Sequence, residues 1–466
     1  MTLDDALAAT STAQFDRRRE QEPIDSAALA RILFYAAGVV RVLPAVDGGA
    51  DRWFRPVGSA HNLSPLELYL VAGDVGQLPA GTYHYDPLEH ALSLIRPGDF
   101  RAQVAASLAD RRSYIAYVIL TGVPWRTVWR DGLRGFRNLY LDGGAMLANL
   151  MAAAAAVSRA SLHVGFVDHE VSQLLGLETE SEFPLAIVGL GARGESRLSG
   201  SARQPLDLVA PGSLGPHTAC QPIAAAQTAG NLTNRADLRQ WRRVARTAGK
   251  APQMPLPRDV ETGARSAFDE VVLLRSSTRR FTEVEIDQRV LNSAVPTVLA
   301  PVAWDASRLG HSLLTHSVVV HAIAGLAPGR YSLDRGRLRL EATGDFRTTC
   351  LSLSMGQRLA ADAAIVIYHQ ASVQTTVAIM GDRGYRAALL EAGMASARLQ
   401  LAAFGLGLGA TALVCYEDEV RRFLGGMGDP VLITALGVPA HRARAGGTPL
   451  RPTQLRRIPA PLREPT

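Results

Sequence analysis

Residues 135–157 read GFRNLYLDGGAMLANLMAAAAAV, and residues 384–406 read GYRAALLEAGMASARLQLAAFGL. Both open on Gly, an aromatic and Arg. Both then run as one apolar stretch with small residues at helical spacing, which predicts long, closely packed helices over 138–157 and 385–404. The two lie 249 positions apart, and other blocks repeat with them. At the same offset Asp168-His169-Glu170-Val171 meets Glu417-Asp418-Glu419-Val420, and Leu174-Leu175-Gly176 meets Phe423-Leu424-Gly425. FPLAIVGLG (183–191) is answered by DPVLITALG (429–437). Upstream, LPAGTYHYD (78–86) and GDFR (98–101) are echoed by LAPGRYSLD (326–334) and GDFR (344–347). Blocks matched in one order imply a duplicated domain, and a period near 250 is far too long for a solenoid.

Each copy reads alike. A strand signal (66–73; 317–323) precedes a hairpin, and a second strand follows (114–122; 363–369). Then come the long helix, a short acidic-start helix (Asp168–Leu175; Glu417–Leu424) and a last strand. Strands and helices mix without strict βαβ alternation, so the fold class is α+β. Residues 197–256 are rich in Pro, Gly, Ala and Ser with one basic helical patch, Asn234–Arg246, and read as a linker with its own helix. The copies are therefore 1–196 and 257–466, and RPTQLRRIPAPLREPT (451–466) reads as a surface tail.

Composition narrows the function. The chain has 466 residues, 47% hydrophobic and 20% charged, which is ordinary globular usage. The N-terminus opens on acids without an apolar core, unlike a signal peptide, and no apolar run is long enough to span a membrane. Three scattered cysteines argue against a disulfide framework. The expected location is the cytoplasm. All but one of the 49 basic residues are arginine; the single lysine, Lys250, lies in the linker. No Walker A loop is present, and a Schiff-base lysine has no suitable place. The net charge of +6 is spread over dispersed arginines with no nucleic-acid-binding motif, so no nucleic-acid partner is expected. His163, Asp168 and His169 fit no zinc spacing, and no metal is expected. Gly405, Gly407 and Gly409 follow a helix and do not form a dinucleotide fingerprint. Trp125 and Trp129 read as packing groups.

Chemistry concentrates in two places. Arg275-Ser276-Ser277-Thr278-Arg279-Arg280-Phe281 sets forked donors and hydroxyls close together, a natural phosphate clamp that needs no lysine. The first copy has only FDRRREQEPID at that place. It carries instead Arg55-Pro56-Val57-Gly58-Ser59-Ala60-His61-Asn62, small residues and hydrogen-bonding groups suited to a flat ligand. The second copy offers only PVAWDASRLGHS there. Complementary halves of one site imply a single ligand between the copies.

The R-x-S-x-R-x-F clamp, the small-residue loop before a strand and the R-G-[FY]-R helix start resemble the flavin-dependent nitroreductase superfamily. SAHNLSPLELYLV…LPAGTYHYDPLEHALSLIR is similar to its SagB-type branch, the azoline dehydrogenases of thiazole and oxazole peptide pathways, thiopeptides among them. Outside the linker and the tail, the resemblance covers nearly the whole chain, twice over, and implies a tandem fusion forming an intramolecular pseudo-dimer with one FMN. It further implies that Arg275, Ser276, Ser277 and Arg279 hold the phosphate and ribityl chain. Ser59, Ala60, His61 and Asn62 would contact the flavin from the other copy, with Val414 and Cys415 lining its ring through their backbone. Arg442 and Arg444 would add phosphate contacts. The implied reaction oxidises thiazolines or oxazolines to azoles in a ribosomally made peptide, with electrons passing to oxygen. The precursor peptide is then the partner, alongside a cyclodehydratase of the same pathway.

That branch carries a Lys-Tyr pair before the R-x-[FY]-R segment, and this chain departs from it. Arg130-Asp131 stands there in the first copy and Ile379-Met380 in the second. Arg keeps its proton near neutrality, so Asp131 and His61 are the candidate bases, with Arg130 beside them. Two alternatives stay open: another FMN-dependent reductase of nitro or quinone type, and a non-catalytic peptide-binding scaffold.

Overall fold

A computed structural model gives the fold. It describes residues 24–45, 49–155, 157–194, 219–248, 267–290, 295, 299–307, 311–334, 337–426, 428–441 and 456–458. Strands β1 (Arg41–Leu43) and β2 (Arg52–Phe54) form a small antiparallel pair. A first large sheet contains β3 (Leu66–Ala72), β4 (Gly81–Asp86), β5 (Ala91–Pro97), β6 (Ala116–Gly122), β7 (Ala160–His163) and β8 (Phe183–Leu190). A second contains β9 (Phe281–Thr282), β10 (Leu314–Val320), β11 (Gly329–Asp334), β12 (Arg337–Thr343), β13 (Ile365–Ala371), β14 (Gly409–Leu413) and β15 (Asp429–Pro439). The strand order β5-β4-β3-β6-β8-β7 in the first recurs as β12-β11-β10-β13-β15-β14 in the second. β3, β6 and β8 are buried along their length, which is why they read as apolar runs rather than alternations.

The C-terminal stretch differs from the expected surface tail. Arg456–Ile458 forms β16 and pairs in parallel with β5, closing an edge of the first sheet. An open strand edge exposes unpaired N–H and C=O groups, and this segment satisfies part of that edge.

The two long helices, Gly135–Ala155 and Asp382–Gly405, pack against each other at a pair of glycines. A Cβ on Gly144 would overlap the Leu390 carbonyl, and one on Gly393 would overlap the Leu141 carbonyl. Each glycine thus receives the backbone three residues before the other, at the repeat offset. Reciprocal ion pairs add to the junction. Arg383 Nη1 meets Asp168 2.7 Å away, both buried, while Arg134 and Arg137 each meet Glu417 at 2.5 Å. Asp168 and Glu417 begin the short helices Asp168–Leu175 and Glu417–Phe423, so the repeated R-G-[FY]-R and acidic blocks are partners across the halves.

The expected linker is part of the packed body where it is described. It holds two helices, Gln221–Ala229 and Arg235–Ala245. The second buries Leu238, Trp241 and Ala245, and Trp241 Nε1 donates to Met380 O at 2.9 Å. Among the described residues no helix is long and apolar enough to cross a membrane.

Candidate functional site

Arg275 follows the short helix Phe268–Leu274, and its segment lies along β14 through a bond from Thr278 N to Ala410 O of 3.2 Å. The Arg275 side chain is buried, with only 8% of the residue exposed. Its Nη1 donates to Gln400 Oε1 of the second long helix at 2.9 Å, and its Nη2 to Pro56 O at 2.8 Å. The clamp of one half therefore touches the small-residue loop of the other. Together they line a cavity of about 620 Å³, within the range typical of small-molecule sites. Gly58, Ser59, Asn62, Arg275, Ser276, Ser277 and Arg279 all face it.

Arg55 and Arg280, the ends of the two quoted motifs, line it as well, and sequence reasoning missed two further polar lining residues, Arg41 and His441. Five arginines and no carboxylate line this cavity among the described residues. Burial, and then the charge of Arg41, push the Arg275 guanidinium down to about 10. Such uncompensated like charge is relieved by a bound anion, and planar guanidinium forks suit a phosphate. The residues present thus fit the phosphate end of a flavin mononucleotide.

The loop is held from beneath by a carboxylate that also went unnoticed. Ser59 Oγ donates to Asp142 Oδ2 at 2.6 Å, and Ala60 N lies 3.2 Å from both Asp142 oxygens. Asp142 is buried in the first long helix, and burial raises its carboxyl to about 7. Glu391, its counterpart 249 positions on, is likewise raised to about 7 by burial; it accepts from Ser312 Oγ and from Leu313 N. The second copy's loop therefore keeps this anchoring role, and the two loops differ less than their sequences indicate. An acid recurring at the repeat offset inside an apolar helix was the available signal.

His61 and Asn62 adopt left-handed backbone, with φ of 54° and 61°. Asn62 Nδ2 donates to Trp53 O at 2.8 Å, fixing the turn. The turn brings His61 Nε2 within 3.2 Å of Asp131 Oδ1, while Asn138 Nδ2 donates to Asp131 Oδ2 at 2.7 Å. Two candidate bases 70 positions apart are thus one contact pair. Arg130 is exposed and lies outside both this pair and the cavity lining. Val414 and Cys415 do not line the main cavity; they border a narrow crevice with Asn138, Arg137 and Glu417. Arg442 and Arg444 lie outside the described residues. Trp129, expected to pack, is 65% exposed at the end of the short helix Trp125–Asp131. Its Nε1 donates to Arg126 O one turn back, so the indole lies along its own helix.

This architecture and strand order are those of a nitroreductase-like α+β fold. A crystal structure from Anabaena variabilis, provisionally described as a nitroreductase, superposes with a TM-score of 0.71 at 24% identity and covers 90% of each chain. A protein of Methanocaldococcus jannaschii, also provisionally named a nitroreductase, is 29% identical over 178 residues, which is 37% of this chain and 83% of the relative. The Escherichia coli microcin synthetase complex with truncated pro-MccB17 matches at a TM-score of only 0.31 and 20% identity, covering 39% of this chain and 72% of that one. No protein-family model matches the chain.

Proposed function

We propose that this chain is an FMN-dependent oxidoreductase and, within that class, an azoline dehydrogenase acting on a ribosomally made peptide after a cyclodehydratase. The reading of the class is carried by the arginine-lined cavity in which the clamp of one half meets the loop of the other. Arg275 and Arg279, with Ser276 and Ser277, would hold the phosphate end. Ser59, Ala60 and Asn62 would border the flat ring, and Val414 and Cys415 would approach it from the neighbouring crevice. The azoline step rests on the resemblance of the motifs, together with the His61–Asp131 pair, whose His61 precedes the cavity-lining Asn62 in the chain.

A flavin held there would supply the two-electron oxidation of the ring. The chain must then take the neighbouring proton. Asp131, held by Asn138, orients His61 through Nε2, which leaves His61 Nδ1 to receive that proton. Asp131 is then the positioning residue and His61 the acceptor. His61 is the more exposed member, as a group that meets substrate should be.

The purified protein should be yellow, with flavin bands near ~370 and ~450 nm. It should remove two hydrogens per ring from a thiazoline- or oxazoline-bearing peptide. His61→Gln should lower that turnover by about 10²–10⁴-fold with flavin content unchanged. Colourless protein that cannot be loaded with FMN would sink the class. Rapid NADPH consumption without azoline turnover would retain the class and replace the reaction.

A further inference from the structure

The half opposite the clamp carries a second pocket, of about 340 Å³, whose parts correspond to those of the flavin cavity. The first cavity uses the loop before β3, the clamp lying on edge strand β14, and His441 just after β15. The second uses the loop before β10 at Trp304 and Asp305, edge strand β7 at His163, and Arg193 just after β8. Where the first has its clamp, the second has the helix Arg235–Ala245 and its cap. Arg242 Nη1 and Nη2 donate to Leu108 O at 2.6 Å and Gly165 O at 3.0 Å, and Arg246 lines the opening.

The pocket's charges are set firmly. Asp305 meets Arg242 Nε at 2.6 Å and accepts from Val164 N and Gly165 N through its other oxygen. Asp110 meets Arg193 at 2.8 Å. Both lining carboxylates are thereby engaged, and Arg246 remains as a third guanidinium with no lining carboxylate to match it. His163 is 4% exposed, and neither ring nitrogen has a hydrogen-bond partner among the described residues. Burial pushes its imidazole down to about 4, so it presents one N–H and one acceptor nitrogen. Both ring nitrogens lie beneath the pocket wall, so the ring meets the open space through its carbon edge or face. Trp304 supplies an indole wall.

We infer that this pocket is a second ligand site, rebuilt from the counterpart of the flavin cavity, and that it takes a small ring-bearing monoanion rather than a flavin. The acid group pairs with Arg246, and the ring lies by Trp304 and the buried His163 imidazole. The smaller volume, and a helix standing where the first cavity has its clamp, favour a ligand smaller than a flavin.

Calorimetric titration of the full flavin-loaded chain with benzoate, nicotinate and neutral benzamide tests this. Benzoate or nicotinate should bind one per chain, and benzamide at least ~10-fold more weakly. Arg246→Ala, a change at an exposed position, should weaken the acids about 10-fold and leave flavin content alone. Absence of saturable binding by either acid overturns the inference. Equal affinity in Arg246→Ala, or acids that displace FMN, also overturns it. A second FMN per chain that is lost in Arg246→Ala would show a flavin site and end the proposal, while leaving the FMN reading intact.

Discussion

Arg275 divides its guanidinium between Gln400 of its own half and Pro56 of the other, so one side chain registers both walls of the cavity. A charge-assisted bond to phosphate contributes roughly 1.5–3 kcal/mol, about 10- to 150-fold in affinity. Arg275→Ala should weaken FMN binding by that order in fluorescence titration, while Arg358→Ala, at an exposed side chain paired with Asp362, should leave it unchanged. Equal losses at both would show that overall charge, and not the clamp, holds the anion. Asp142 and Glu391 give a second residue-scale expectation. Burial raises both carboxyls to about 7, so the folded chain binds protons that the unfolded chain releases between the ordinary carboxylate range and 7. Their contribution to stability is complete at low pH and is lost as pH rises through 7. A tenfold difference in proton affinity between the folded and unfolded chain is worth about 1.4 kcal/mol. Asp142→Asn or Glu391→Gln should therefore resemble the wild type near pH 4 and gain a few kcal/mol relative to it at pH 8, read by urea denaturation. A pH slope identical to the wild type's would refute this. These two acids were hard to pick out because a lone acid in an Ala-rich helix looks like its solvent face, and only the fold shows that both faces are covered. Arg275, by contrast, was legible because clamp residues are adjacent in sequence.

Among the elements, the long helices were readable from their small residues, but not the point of closest approach. Gly144 and Gly393 sit where each helix meets the other's carbonyl, and nothing local separates them from the neighbouring Gly143 or Ala392. Gly144→Ala or Gly393→Ala must push the helices apart, and overpacking of this kind costs typically about 1–3 kcal/mol. Thermal melts should show each variant destabilised by at least that much, and an unchanged melting temperature would mean the helices can slide. Arg235–Ala245 was located but not placed. The basic patch Asn234–Arg246 was read as a helix within a linker, yet Leu238, Trp241 and Ala245 form a buried stripe, and Arg242 finds carbonyl partners far away in the chain. Amphipathic spacing was present in the sequence; the surface it covers was not. The R-G-[FY]-R blocks were read as a family mark, and their physical role emerged only when Asp168 and Glu417 appeared opposite them.

At the scale of the whole molecule, the duplication was legible because matched blocks kept their order, and the two sheets share one strand order. What could not be read was how the halves exchange parts, since pairing across hundreds of residues leaves no local signal. The exchange has a countable outcome. Only one cavity joins a clamp to a loop among the described residues, so flavin released by denaturation should equal one FMN per chain, and two per chain would refute the asymmetry.

The parallel pairing of β16 with β5 also sets an order in time. The first sheet's outer strand is made early, but the segment that covers its edge is translated roughly 360 residues later, a delay of about 20–70 s at the usual ~5–20 residues per second. Until residues 456–458 have been translated, β5 has no β16 to pair with, and its outer edge keeps unpaired N–H and C=O groups.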